Sequence, residues 1–465
     1  MTQALHPTPS IRPTRRLDRG AVAILVAFCL LAPIFFRPVV QGVDTIGYYS
    51  WVRAAVIEQS LDVRATWEHY PGELILQFPG YRILTPTGYI HNQWAAGPAL
   101  LWLPFFLAAH GLVLLLNAAG VPLAADGFSF PYVFASAIGT CVYGLAALLL
   151  IYAIARRCFS PAIAAGSVLV VAFATPLIFY TFVNPFTSHG LDAFAGALYV
   201  FCWLAVRDRP TFGRRLALGL VIGLATWIRV QNLLLLVAPV AGMAWLLWRP
   251  REIAWRARAR AFLTAVVPFS LGVAALILPL MLFWRVVYGE WIINTYAAAS
   301  GLIFDPLRPH LREVLFSSDR GLLIWSPVLV FSLAGTLPLW RRDRGLTALL
   351  VTNFVLTYFL VASSNMWSGM VAFGARHFVA SVPYFALGLA AFADLLSRRE
   401  KLGWLAVAGA AFVVWNFLLI IQYALEWTPR GGEVDLAKMF VNQFRVVPEN
   451  LPRIFQAFLN RLNES

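Results

Sequence analysis

Asp44 stands where the first long apolar run of the chain gives way to a polar stretch, in Gln41-Gly42-Val43-Asp44-Thr45-Ile46-Gly47-Tyr48-Tyr49. A carboxylate beside hydrocarbon is costly to keep charged unless it is paired or used. Two compatible readings are open for it. As a helix N-cap it would satisfy backbone N–H groups of a helix that carries Tyr48. As a functional group it would be a general base, or a metal ligand, at a membrane surface, where partial loss of water can raise a carboxyl pKa into a useful range.

Two further stretches hold polar side chains that could work with it. In Ser363-Ser364-Asn365-Met366-Trp367-Ser368-Gly369-Met370-Val371-Ala372-Phe373-Gly374-Ala375-Arg376-His377, glycines permit close backbone approach and an Arg-His pair opens an apolar helix. Arg376 offers a planar fork suited to phosphate oxygens, and His377 can donate a hydrogen bond to the same group. Between Arg285 and Arg320 the polar residues include Tyr288, Asn294, Tyr296, Asp305, His310, Asp319 and Arg320. There Asp319 and Arg320 read either as a salt-bridged cap or, for Arg320, as a phosphate ligand. Asn184, His189 and Asp192 surround one helix start, where a cap or interhelical hydrogen bond competes with a His–Asp relay. Arg229, Gln231 and Asn232 interrupt an apolar stretch and mark a break lining a polar cavity, with Arg229 free to pair with an acid.

The elements that must position these groups are membrane helices. The chain is 60% hydrophobic and only 12% charged, and apolar runs long enough to approach or span about 30 Å of hydrocarbon recur from Ala21–Phe36 to Gly403–Leu425. These imply an all-α, polytopic transmembrane bundle of about 11–13 helices. The net charge of +14 is carried by arginines in short clusters between the runs: Arg156-Arg157, Arg207 to Arg215, Arg249 to Arg260, Arg341 to Arg344 and Arg398 to Lys401. That pattern encodes topology, with each cluster expected in the cytoplasm, and it removes nucleic acid as the expected partner.

The expected organisation is a basic cytoplasmic tail over 1–20, a transmembrane domain over 21–425 that includes a long outer loop over 37–96, and an amphipathic interfacial tail over 426–465. The first apolar run lacks a small-residue cleavage site and reads as a retained anchor. Cys29, Cys141, Cys158 and Cys202 have no pairing or metal-ligand spacing and read as packing residues. Within the outer loop Tyr48, Tyr49, Trp51, Val52, Ala55 and Val56 recur at helical spacing with Arg53 and Glu58 between them, the pattern of an interfacial helix. Leu436, Phe440 and Phe444, then Ile454, Phe455, Phe458, Leu459 and Leu462, predict two more such helices in the tail. One conflict arises in the arginine pattern. If Gly97–Leu116 crosses the membrane, the run ending at Arg156-Arg157 finishes on the wrong side. Either the Gly97–Asn117 segment is kinked or re-entrant, or Leu216–Trp248 is one broken crossing.

Asp44-Thr45-Ile46-Gly47-Tyr48-Tyr49, followed by Glu58-Gln59-Ser60-Leu61-Asp62 and by Gly97-Pro98 opening the next apolar run, resembles the layout of membrane-embedded GT-C glycosyltransferases. That group includes protein O-mannosyltransferases and the lipid A aminoarabinose transferase. Asp319-Arg320-Gly321 with Trp325-Ser326-Pro327, and Trp367 with Gly374-Ala375-Arg376-His377, resemble patterns in bacterial proteins of this type. The resemblance implies inverting transfer of a sugar from a polyprenyl-phosphate donor to an envelope acceptor, on the outer face of a bacterial-type cytoplasmic membrane, with the N-terminus in the cytoplasm. It puts Asp44 at the family's loop-one acid as the catalytic residue. Tyr48, Tyr49, Arg53, Asp319, Arg320, Trp367, Arg376 and His377 are then the substrate-binding residues. No cofactor is required outright, and a divalent cation is possible. Two departures stand out: Thr45 follows Asp44 where many relatives carry a second acid, and no large soluble domain follows the last helix. The competing reading is a transporter or flippase of a lipid-linked saccharide, since carriers too are polytopic with a few buried charges.

Overall fold

The computed structural model describes residues 18–70, 83–247, 254–445, 448–452 and 456. Among these every regular element is a helix. The first are α1 (Arg19–Phe35), α2 (Val43–Arg53), α3 (Arg64–His69), α4 (Gly97–Ala118), α5 (Phe130–Ala155), α6 (Pro161–Phe173) and α7 (Ser188–Asp208). Next come α8 (Phe212–Ile228), α9 (Val237–Leu247) behind a 3-10 turn at Val230–Leu236, and α10 (Trp255–Tyr288). The remainder are α11 (Thr295–Ser300), α12 (Leu311–Phe316), α13 (Leu322–Trp325), α14 (Leu329–Ala334), α15 (Thr336–Arg342), α16 (Arg344–Ala362), α17 (Val382–Ser397), α18 (Leu402–Ala424) and α19 (Leu436–Phe444). A 3-10 turn at Arg376–Ser381 leads into α17. By length and composition, 8 of the described helical segments can cross a membrane, and α1 and α6 are shorter apolar helices. The polytopic all-helical fold is as the composition requires. The expected run Leu322–Trp340, however, is broken into α13, α14 and α15.

Four ion pairs gather the basic clusters at one end of this bundle. Arg156 after α5 meets Asp18 before α1 at 3.0 Å, and Arg157 meets Asp208 at the end of α7 at 2.7 Å. Arg207 meets Asp343 between α15 and α16 at 2.7 Å, and Arg342 meets Asp394 near the end of α17 at 3.0 Å. Partly exposed pairs of this kind add little stability. Their value here is to fix which helix ends are neighbours. The opposite end carries the Asp44 loop.

Helices α8 and α10 run parallel in close contact. Arg215 donates to the Thr264 carbonyl at 2.7 Å and Trp227 to that of Leu276 at 2.7 Å, so residue number rises along both. Gly219 and Gly272 make the approach possible: a Cβ on Gly219 would lie 2.2 Å from the Phe269 carbonyl oxygen, and one on Gly272 2.2 Å from that of Leu216. Small residues at such spacing let membrane helices touch backbone to backbone. Between them α9 returns to the basic end, where Leu247 accepts from Arg258 at 3.2 Å. Leu216–Trp248 is therefore not one broken crossing.

The topological conflict is resolved by α4. Its Gly97 abuts the backbone of Trp227 and Ile228 at the far end of α8. From there it lies antiparallel to the early part of α5: Trp102 donates to Thr140 at 2.8 Å, Phe106 packs on Tyr132 with ring centroids 4.9 Å apart, and His110 meets the Tyr132 hydroxyl at 2.7 Å. Thr140 is still about 22 Å of helix from Ala155. So α4 stays beside the loop end instead of running the length of the bundle. With α4 removed from the crossings, α5 descends from the loop end directly to Arg156-Arg157.

The helix expected around Tyr48 is present as α2, yet residues Thr45 to Arg53 are all buried. It is enclosed by protein on every side, so it does not rest one face on water. In the tail, α19 exposes Leu436, Phe440, Val441 and Phe444 together, as an interfacial helix should. The second tail helix, built on Ile454 to Leu462, and residues 1–17 of the N-terminal tail lie outside the described residues.

Candidate active site

Gly42, at φ +83°, occupies the N-cap of α2 and makes no side-chain cap. Asp44 falls in the first helical turn, where the helix dipole favours an anion. Its side chain is committed elsewhere. Oδ1 accepts from Trp94 Nε1 at 2.9 Å, and Oδ2 pairs with Arg376 Nη1. The cap reading is thereby replaced by a three-residue contact among the end of the outer loop, the start of α2 and the turn before α17. Trp94 is 1% exposed and its ring packs on Trp67 at 5.5 Å between centroids. Gly47 makes room for it, because a Cβ there would lie 2.0 Å from the Trp94 ring.

The segment carrying Arg376 is held from two sides. Phe373 N–H donates to the Tyr180 hydroxyl at 3.0 Å, and that hydroxyl sits 3.2 Å from the Phe373 carbonyl. Arg320 Nε donates to the Ala372 carbonyl at 3.0 Å. Gly369 turns the chain at φ +76°, and its carbonyl accepts from Arg376 Nη2 at 2.9 Å. A Cβ on Gly369 would meet Arg376 Nε at 3.1 Å and His377 Nε2 at 3.2 Å. Both of those nitrogens are buried without a hydrogen-bond partner among the described residues. Two polar nitrogens therefore converge beside a residue that has no side chain.

Behind this pair lies the break after α8. Arg229, its backbone extended at φ −151°, points its guanidinium among four groups. It donates to Ser188 Oγ at 3.2 Å, to His189 Nδ1 at 2.9 Å and to His377 Nδ1 at 3.2 Å, and pairs with Asp192 at 3.5 Å. Asn232 donates to the other Asp192 oxygen at 2.6 Å. An Nδ1 that accepts from arginine leaves the ring proton on Nε2. The unpartnered His377 Nε2 is thus a donor, aimed at the same place as Arg376 Nε. His189 and Asp192 act in interhelical hydrogen bonding, and Arg229 finds the acid that the sequence left open.

The remaining sequence-predicted residues divide into two groups. Tyr48 joins the cluster: its hydroxyl accepts from Ser188 Oγ at 3.0 Å. Tyr296 of α11 is close enough to Tyr48 and Asp44 that burial, followed by those two neighbours, drives its hydroxyl pKa well above the ordinary tyrosine value, so it remains protonated. Tyr49 and Arg53 are structural. Tyr49 donates to the Gly127 carbonyl at 2.6 Å, while Arg53 donates to the Asp126 carbonyl at 2.8 Å, pairs with Glu58 and lies 3.8 Å over the Phe128 ring. Both fasten the Asp44 helix to the α4–α5 connection. Asp319 and Arg320 form the salt-bridged pair at 2.6 Å, and Arg320 also donates to the Gly432 and Pro429 carbonyls, each at 2.6 Å. With its donors spent on backbone, Arg320 steadies the segment that carries Arg376 and is not placed to meet a phosphate. Trp367 packs near His310, ring centroids 6.0 Å apart.

Trp94 and Tyr180 were not singled out by sequence reasoning. Trp94 had one trace in the sequence, a glycine at position 47 inside a helical pattern, which implies a close neighbour. Tyr180 had none. Around Asp44 the donors are an indole N–H and a guanidinium, a set unsuited to a divalent cation. Among the described residues no three His, Cys, Asp or Glu side chains gather as a metal site would need.

Over residues 128–286 the chain matches the family described as dolichyl-phosphate-mannose-protein mannosyltransferase. The resemblance to GT-C type membrane glycosyltransferases is borne out over that stretch, which runs through α5 to α10 and contains His189, Asp192 and Arg229 but neither Asp44 nor Arg376. No curated protein sequence matches the chain. In structure it is similar to the archaeal oligosaccharyltransferase AglB from Archaeoglobus fulgidus, solved with an inhibitory peptide and a dolichol-phosphate. Identity is 12% and the TM-score 0.47, over 89% of this chain and 56% of that one. This chain thus spans little more than half the length of that protein.

Proposed function

We propose that this protein is a membrane glycosyltransferase that moves a sugar from a polyprenyl-phosphate-linked donor to a lipid, glycan or protein acceptor. The observation that carries the reading is the grouping of one carboxylate, Asp44, with two unpartnered nitrogens, Arg376 Nε and His377 Nε2, at one end of an apolar bundle. The match over residues 128–286 supports the same class. The site faces the outer side of the membrane, because the basic clusters at the opposite end mark the cytoplasmic side.

The chemistry is a single displacement with inversion. Asp44 takes the proton of the acceptor hydroxyl as its oxygen forms a bond to the sugar C1. The bond between C1 and the donor phosphate oxygen breaks, and its electron pair leaves with the phosphate. Donors aimed at a developing negative charge lower the barrier most where water is excluded. Arg376 and His377 supply them, and Arg229 holds His377 in the donating tautomer. No step is routed through a metal, since the donor set around Asp44 does not fit one.

The test is transfer from a synthetic polyprenyl-phosphate sugar by the purified protein in detergent, where a carrier has no compartments between which to move anything. Glycosylated acceptor together with free polyprenyl phosphate is the expected product. A protein that binds the donor but never cleaves it, across lipid, glycan and peptide acceptors, would return the reading to a carrier.

A further inference from the structure

The carboxylate that should act as base and the guanidinium that should hold the phosphate are bonded to each other. Arg376 Nη1 pairs with Asp44 Oδ2 and Nη2 is held by the Gly369 carbonyl, so two of the three guanidinium nitrogens are already engaged. A carboxylate oxygen carrying an arginine proton has that lone pair occupied and its charge compensated, which makes it a weak base. The pair is neither fully buried nor loose: side-chain exposure is 16% for Arg376 and 28% for Asp44.

We infer that the Asp44–Arg376 pair is a resting latch which the donor phosphate opens, an inference that rests on the glycosyltransferase reading above. In the donor the phosphate is esterified to both lipid and sugar, so it carries one negative charge and two free oxygens. A planar guanidinium fork grips that pair bidentately, and with His377 Nε2 beside Arg376 Nε it competes with the single Asp44 oxygen for Arg376. When Arg376 turns to the phosphate, Asp44 loses its cation. It keeps its place, because Trp94 Nε1 still holds Oδ1 and the Trp94 ring is wedged against Gly47 and Trp67. The base is unmasked only when a donor is seated, so water meets no free carboxylate in the empty site.

The latch has a consequence that intuition about a catalytic residue would not supply. Asp44 competes with the donor for Arg376, and competition of this kind is reciprocal. Removing the carboxylate should tighten phosphate binding even as it abolishes turnover. The experiment measures undecaprenyl phosphate binding to the full-length protein in detergent, with undecaprenol as the control lacking phosphate. Asp44→Asn should bind the phosphate about 5-fold tighter or more, and Asp44→Ser should do the same if the asparagine variant fails to fold. The gain must disappear in an Arg376→Gln background, where there is nothing left to unlatch. Unchanged or weaker binding in the Asp44 variants overturns the latch. So does a gain that survives Arg376→Gln, which would be plain charge repulsion between Asp44 and the ligand. Wild-type protein that fails to bind undecaprenyl phosphate at all would remove the glycosyltransferase reading, and the latch with it.

Discussion

Trp94 Nε1 donates to Asp44 Oδ1 at 2.9 Å across a separation of 50 residues, closing the outer loop onto the first turn of α2. A hydrogen bond to a charged group is worth more than a neutral one, about 1.5–3 kcal/mol. Here it fixes which oxygen of Asp44 is left to pair with Arg376. Trp94→Phe keeps much of the ring packing on Trp67 and removes the N–H. Turnover should fall about 10-fold, the lower end of that range at about 1.4 kcal/mol per decade. Affinity for polyprenyl phosphate should not change. Equal losses in turnover and in folded yield would mean that the indole serves packing alone.

Asp44→Asn preserves shape and the acceptor for Trp94 while deleting the proposed base. Initial rates of sugar transfer should drop by about 10²-fold or more, the usual scale of general-base loss. Near-normal turnover would leave Asp44 with only its structural bonds.

Arg376→Lys retains a charge but loses the fork. Binding of undecaprenyl phosphate should weaken more than binding of any acceptor, since in the proposed mechanism the acceptor hydroxyl meets Asp44. If donor affinity is unaltered while thermal stability falls, Arg376 is a structural residue only.

Much of this arrangement could be read from residue type, and the reason is physical. In a chain where charge is scarce, Asp44, Arg229, Arg376 and His377 each interrupt apolar sequence, and such residues are expensive unless paired or used. What composition cannot supply is the choice of partner. Arg320 and Arg376 look alike in sequence, each an arginine within two residues of a glycine at the mouth of an apolar run. Only the fold shows that the first spends its donors on the Ala372, Pro429 and Gly432 carbonyls while the second reaches Asp44. Hydropathy misleads at α4 for a related reason. Its 22 residues are long and apolar enough to cross a membrane, and only its contacts with Thr140 and Tyr132 reveal that it stays at the loop end.

The buried role of Arg320 makes a stability prediction. Its side chain is 0% exposed and satisfies Asp319 and three carbonyls. Arg320→Gln would strand a half-buried carboxylate and carbonyl acceptors, which costs less than the roughly 3–5 kcal/mol of a fully buried broken pair but still about 2 kcal/mol or more. Denaturation followed by fluorescence should show the loss, while the fraction that stays folded should bind undecaprenyl phosphate as wild type does. A variant of normal stability with weakened phosphate binding would restore Arg320 to the site.

The path of α4 decides the side on which the α4–α5 connection lies. Val121, in that connection, is 48% exposed; Leu307, in the α11–α12 connection, is 91% exposed; Ala257, near the start of α10, is exposed at the basic end. Single cysteines at these positions, in a background with the four native cysteines replaced, can be probed in intact spheroplasts with a membrane-impermeant thiol reagent. Leu307→Cys should label and Ala257→Cys should not, which sets the orientation of the bundle. Val121→Cys carries the sharper test. If α4 crossed the membrane, Val121 would share the side of Ala257 and stay unlabelled until the cells were opened. If α4 runs back along α5 as its contacts require, Val121 shares the side of Leu307 and labels from outside. That result also keeps Arg156-Arg157 in the cytoplasm without any exception to the charge rule.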